Sequence, residues 1–325
     1  MIKAGVAERW RELSGRNNWQ NLLKPLDIDL QQYILHYGAM AQATYDTFNS
    51  EKLSKYAGSS RYSRKNLFSR VGLVEANPFK YEAFIVKSSC DEAWCKDSNW
   101  MGYVAVATDE GKIVLGRRDI LVAWRGTIEQ AEWAKDFDFP LVPASEVLGR
   151  VSDRARVHRG VLSIYTSRNE RSKFNKTSAR DQVLSEIQRQ VEKYKDEEIS
   201  ITVAGHSLGA ALSTLNAADI VCNAFASYTD VGTKLIVDSR NSPFLKYPGD
   251  IVTWHNLEVA YLHPLAIENA PSIRRSIALV NKGSNALKDQ YLIPDHWWCE
   301  KNKGMVQLSN GSWILDDHET DDNDP

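Results

Sequence analysis

The sequence predicts an α/β fold built on a central, mostly parallel sheet, and three observations carry that reading. An apolar, β-rich run from Ile199 to Ala204 leads into Gly205-His206-Ser207-Leu208-Gly209 and then into an alanine-rich helical run from Ala210 to Ala226. Strand, sharp turn and helix in that order make a nucleophile elbow. Its central residue takes a strained backbone conformation, and glycines two positions either side let strand and helix approach without Cβ clashes. Second, Ile120-Leu121-Val122-Ala123-Trp124 is almost wholly apolar, as a strand covered on both faces must be. Third, helical and strand-like segments are interleaved over 325 residues with no linker-like stretch, which favours one large domain over 1–315.

Taken in order, Trp10 to Leu23 and Leu30 to Phe48 carry apolar residues at three- and four-residue spacing and predict two helices separated by Pro25. This helical preface precedes a polar, basic loop. Strand-like runs follow at Phe84 to Lys87, Met101 to Ala107 and Asp119 to Trp124. Ile128 to Ala134 reads as a short helix, and Asp181 to Tyr194 as a longer one with Leu184, Ile187, Val191 and Tyr194 on one face. Gly311 to Leu315 reads as a final edge strand. The tail from Asp316 to Pro325 is acidic and lacks apolar periodicity, which predicts solvated disorder.

The net charge of -2 provides no basic field for nucleic acid. Basic residues do gather at Arg61 to Arg70 and Arg150 to Arg159, where they form either a solvated surface or a contact for an anionic headgroup. The four cysteines, Cys90, Cys95, Cys222 and Cys299, form neither a dense framework nor a C-x-x-C pair, so reduced thiols are expected and a zinc site is not. Acidic and basic residues interrupt the apolar ones at the N-terminus, unlike a signal or transit peptide, and no run reaches eighteen apolar residues. A soluble, cytoplasmic protein without a transmembrane segment is the expectation.

Ser207 is the candidate nucleophile. Acyl transfer needs two N–H donors for the oxyanion, one from the residue after the nucleophile, Leu208, and one from a loop after an earlier strand. Arg125-Gly126-Thr127 follows such a strand, and Thr127 is the candidate, with helix N-cap as its other reading. His158, beside Gly160, reads as structural, because serine hydrolases of this architecture place the histidine after the nucleophile.

These residues carry a resemblance. The elbow through Leu212, Leu121 to Thr127, Val157-His158-Arg159-Gly160 and the opening Trp10-Arg11-Glu12-Leu13-Ser14-Gly15 to Asn18-Trp19 resemble the plant class 3 lipases. More narrowly, Asn18 to Leu23, Pro25-Leu26-Asp27, Tyr45-Asp46, Ser242 to Lys246 and Lys301 to Met305 resemble the cytosolic phospholipase A1-II group. The resemblance runs nearly end to end and implies an α/β-hydrolase fold. It also implies hydrolysis of the sn-1 acyl ester of phospholipids at a membrane or micelle interface, with other acyl lipids as further substrates and no metal or organic cofactor. In that family the catalytic histidine opens a His-x-Leu-Glu segment followed by Leu-His. Trp254-His255-Asn256-Leu257-Glu258 and Leu262-His263 match, so the resemblance selects His255 as general base over His263, His296 and His318.

The acid is where the chain departs from the family. Chain order in this architecture is Ser, Asp, His, and only Asp219, Asp230, Asp238 and Asp250 lie between Ser207 and His255. Asp219 is twelve residues into the predicted helix, roughly 18 Å along its axis. Tyr228 to Asp238 resembles family sequence that lies after the acid, and Asp250 sits just before the histidine segment. A strand, a connecting helix, a second strand and the acid-bearing loop that ought to follow Ala226 are missing, so the sheet is expected to be truncated by the loss of late strands and the acid is unassigned. Two functions remain: a serine acylhydrolase using Ser207 and His255, or a catalytically impaired relative that binds lipid or a partner without appreciable turnover.

Overall fold

The computed structural model describes residues 5–73, 77–87, 98–128, 140–149, 155–224, 242–246, 249, 251–259, 274–298 and 305–320. In chain order its helices are α1 (Gly5–Leu13), α2 (Ile28–Thr47), α3 (Leu67–Arg70), α4 (Asp109–Leu115), α5 (Ser145–Leu148), α6 (Arg159–Thr166), α7 (Ala179–Lys193), α8 (Leu208–Asp219), α9 (Ile251–His255) and α10 (Arg274–Val280). A π turn, Ile220–Ala224, extends α8. The strands are β1 (Phe79–Lys87), β2 (Asn99–Ala107), β3 (Arg118–Trp124), β4 (Leu141–Pro143), β5 (Arg156–His158), β6 (Ile199–Gly205), β7 (Met305–Gln307) and β8 (Trp313–Leu315).

The central sheet has the order β1-β2-β3-β6. It is mixed. β1 and β2, and β2 and β3, pair antiparallel, while β3 and β6 run parallel in a register that sets Trp124 opposite Gly205. Fewer than a dozen residues link β1 to β2 and β2 to β3, too few for a parallel crossover, whereas the long β3-to-β6 connection carries α6 and α7. The parallel character expected of the sheet is thus confined, among the described residues, to the pair that delivers the elbow. Among the described residues the sheet stops on that side at β6, whose residues are all half-buried, as an outer strand's are.

β3 explains its own sequence. Ile120, Val122 and Trp124 point into one core with Ile164, Val183, Ile187 and Leu212 from α6, α7 and α8. Leu121 and Ala123 point into the other, with Tyr33, Tyr37 and Met40 of α2 and Val6 and Leu13 of α1. Over Ile120–Trp124 the strand is covered on both faces by apolar neighbours, hence the continuous apolar run, while Arg118 and Asp119 at its start are buried with polar partners.

Four sequence expectations are corrected. The first helix ends at Leu13, not Leu23. Residues 14–22 turn back with positive φ at Gly15, Asn18, Trp19 and Asn21, the Trp19 indole donating to the Leu13 carbonyl at 2.9 Å. Trp19 and Leu22 fold onto the α1–α2 core, and that mimics helical spacing. The second helix starts at Ile28 because Asp27 caps it, accepting from the Asp29 and Leu30 amides. Trp313–Leu315 pairs with Met305–Gln307 in a separate hairpin instead of edging the central sheet.

The fourth correction concerns the start of the acidic tail. Asp317 is buried and accepts from the Asn49 amide at 2.9 Å and the Ser54 hydroxyl at 3.1 Å. His318 stacks on Tyr56 at 4.0 Å, and Glu319 accepts from Arg70 Nε at 2.6 Å. Charge complementarity holds these residues, and a pattern search for apolar periodicity does not register it. Part of the basic cluster is accounted for too, since Arg70 faces Glu319 and buried Arg61 donates to the Phe48 carbonyl. The rest of the expected 128–134 helix, the Arg150 end of the second cluster, and Cys90, Cys95 and Cys299 lie outside the described residues. Cys222 is a free thiol.

Candidate active site

Ser207 sits between β6 and α8 with φ 60° and ψ -127°. For a residue with a Cβ this conformation carries strain of about 1–3 kcal/mol, tolerated only where the surroundings over-determine it. They do here. A Cβ on Gly205 would fall inside the van der Waals shell of the Gly209 carbonyl oxygen, and one on Gly209 inside that of the Trp124 carbonyl oxygen. The two glycines let β6, α8 and the end of β3 close on one another. Gly209→Ala is therefore expected to destabilise the protein by roughly 2–4 kcal/mol in urea unfolding, and an unchanged midpoint would contradict that close approach.

Below the elbow, α8 is tied to its neighbours by a buried polar chain. The Trp124 indole donates to Asn216 Oδ1 at 3.2 Å, Asn216 donates to the Tyr165 hydroxyl at 2.9 Å, and Tyr165 donates to Asp219 at 2.8 Å. Arg180 closes the chain with two bonds to Asp219 of 2.7 and 2.8 Å. Asp219 is thus committed to anchoring α8. Asp230, Asp238 and Asp250 lie outside the described residues, as does His263.

The loop after β3 reaches the same end of the sheet, since Trp124 is opposite Gly205. Arg125 pins it. Fully buried, Arg125 donates to the carbonyls of Trp100 at 3.1 Å and Gly126 at 2.6 Å, and lies 3.9 Å over the Phe48 ring. Burial pulls its guanidinium down to about 10. Gly126 leaves no room for a Cβ beneath the Tyr45 hydroxyl, and Thr127 follows, half-buried. The ends of β3 and β6 hold Thr127 and Leu208 at one edge with Ser207.

His255 is the last residue of α9. Its ring lies 4.9 Å from that of His206, tilted by 45°, which brings it to the residue preceding Ser207. Burial holds its pKa below the ordinary imidazole value, so the ring is neutral near pH 7. His206 is pushed down to about 4, first by burial and then by the neighbouring His255. The Tyr45 hydroxyl of α2 is 2.9 Å from His206 Nδ1 and 3.2 Å from its carbonyl oxygen. The other histidines are placed elsewhere. His158 caps α6, accepting from the Gly160 amide at 3.1 Å, and the His296 amide donates to the Ser284 carbonyl.

A buried charge cluster lies beyond His255 that pattern reading did not single out. Glu258 and Lys282 are both buried, and Lys282 Nζ is 2.7 Å from Asp46 and 3.8 Å from Glu258. Burial pushes the Glu258 carboxyl up to about 7, with Lys282 offsetting part of the shift. Between pH 4.5 and 7 the native state therefore holds a proton that the unfolded chain has released, so this group's contribution to stability is lost as pH rises. At about 1.4 kcal/mol per pKa unit, the loss is roughly 3 kcal/mol. Glu258→Gln is expected to remove that slope: its melting temperature should exceed the parent's at pH 8 and match it at pH 4.5. Parallel pH profiles for the two proteins would refute the assignment. The only sequence signal was Glu258's place in the His-x-x-Glu spacing; its partners come from segments more than two hundred residues apart.

A family model described as Lipase (class 3) matches residues 121–236, from β3 past the elbow. Over its whole length the chain is 44% identical to phospholipase A1-IIgamma of Arabidopsis thaliana, of which the match covers 96%. It is 45% identical to phospholipase A1-II 1 of Oryza sativa subsp. japonica, with 98% of each chain covered. The 403 aligned positions of the first match exceed this chain's 325 residues by 78. At least that many positions of the relative therefore stand opposite gaps in this chain. Among solved structures, the Lip2 lipase of Yarrowia lipolytica aligns at 19% identity with a TM-score of 0.38, covering 59% of this chain and 54% of that one. A Rhizomucor miehei lipase propeptide complex gives 18% and 0.36, covering 59% and 46%.

Proposed function

We propose, for a chain that belongs to the class 3 lipase family in its plant phospholipase A1-II branch, that this carboxylic ester hydrolase cleaves the sn-1 acyl ester of phospholipids through an acyl-enzyme on Ser207. One observation carries the reading: a serine at φ 60° on an elbow, with the neutral ring of His255 packed against the residue preceding it. His255 takes the Ser207 proton as Oγ attacks the ester carbonyl. The Leu208 and Thr127 amides receive the oxyanion, and His255 returns the proton to the departing lysophospholipid oxygen. Water, deprotonated by the same imidazole, then releases the fatty acid. No step calls on a metal or an organic cofactor. Substrate is met at a membrane or micelle surface, and no described helix is long and apolar enough to cross a bilayer. A cytoplasmic site of action completes the proposal.

The second reading, a catalytically impaired binder of lipid or of a partner, rests on the acid that the sequence leaves unassigned, because losing the acid of a triad costs about 10⁴-fold in turnover. A fluorophosphonate probe separates the two. Labelling at Ser207, together with release of fatty acid from the sn-1 position of a mixed-chain phosphatidylcholine, supports the hydrolase. An unlabelled protein that still binds vesicles supports the binder.

A further inference from the structure

The last turn of α2 touches a neighbour of each member of the catalytic pair. Tyr45 stands against the His206 ring on which His255 leans, and Asp46, its neighbour, accepts from Lys282 Nζ at 2.7 Å. Lys282 lies 4.8 Å over the Trp298 ring and 3.8 Å from Glu258, three residues beyond His255. Leu257 and Val259, on either side of Glu258, are buried. The histidine segment is thus gripped from one place, through its ring on one side and through a buried carboxylate on the other.

Stability alone does not account for this arrangement. Desolvating the Lys282–Asp46 ion pair and the Glu258 carboxyl is unfavourable, and apolar residues of similar size fill such a space at least as well. What a buried, satisfied charge cluster supplies is a single geometry. We infer that Tyr45 and the Asp46–Lys282–Glu258 cluster are positioning residues for His255, holding its imidazole at Ser207. The inference rests on the Ser207–His255 reading above.

The test uses the full chain and two readouts, hydrolysis of p-nitrophenyl butyrate and the rate of fluorophosphonate labelling at Ser207. Lys282→Met is expected to lower kcat and the labelling rate on the order of tenfold or more, with KM within about twofold, since displacing a catalytic group by an ångström costs up to about 100-fold. Tyr45→Phe should lower both by a smaller factor, and Lys282→Arg should recover part of the loss. The deciding step is the His255→Ala background, where Lys282→Met should change the residual rate no further, because a residue acting through His255 has nothing left to position. An equal loss in both backgrounds, or a KM effect with kcat intact, would mark the cluster as scaffold and overturn the inference while sparing the hydrolase. If His255→Ala by itself leaves both rates unchanged, the Ser207–His255 reading falls first and takes the inference with it. Should Lys282→Met fail to fold, Asp46→Asn in the same two backgrounds decides by the same criterion.

Discussion

Ser207→Ala is expected to abolish ester hydrolysis and fluorophosphonate labelling while leaving the thermal transition in place. Removing the nucleophile of such a site costs on the order of 10⁴- to 10⁶-fold in turnover. The structure explains why stability should survive. Ser207 opens α8 without a side-chain capping bond, so the lost hydroxyl takes no helix cap with it. Alanine has the same Cβ at φ 60°, and the strain is already present in the parent. A change within about 0.5 kcal/mol follows. Hydrolysis of p-nitrophenyl butyrate by mutant and parent at equal rates would sink the assignment.

His255→Ala should be as severe as the serine change, since residues that act as a unit give non-additive losses. His263→Ala should do much less, and an exchange of the two effects would reassign the base. The pH profile gives an independent reading. A general base works as the neutral imidazole, and burial holds His255 below its ordinary value. Activity should therefore fall only as pH drops through a midpoint below about 6.5. A carboxylate on the ring would do the opposite, favouring the imidazolium and lifting that midpoint. A midpoint above 7 would thus show that Asp230, Asp238 or Asp250 reaches His255, and single alanine changes would say which.

Local pattern was enough wherever function depends on neighbours in the chain. The elbow was legible because strand, glycine, serine, glycine and helix are consecutive, and only that order satisfies the close approach of Gly205 and Gly209. β3 was legible because burial on both faces makes Ile120–Trp124 continuously apolar. The helix after the elbow was read from Ala210 to Ala226, whereas α8 runs Leu208–Asp219 before a π turn. Alanine-rich sequence is compatible with either, and the pull of Arg180 and Tyr165 on Asp219 is tertiary.

By itself, then, the sequence determined the α/β class and the elbow, and it proposed Ser207 and, through its resemblance, His255, because each rests on residue types at short, fixed spacing. Only the tertiary structure decided the mixed sheet that, among the described residues, ends at β6, the docking of Asp317 to Glu319 on the loop after α2, and the contacts of Tyr45, Arg125 and the Asp46–Lys282–Glu258 cluster. Those depend on burial and charge meeting across long separations, where desolvation makes a pairing strong, and no window along the chain contains both partners.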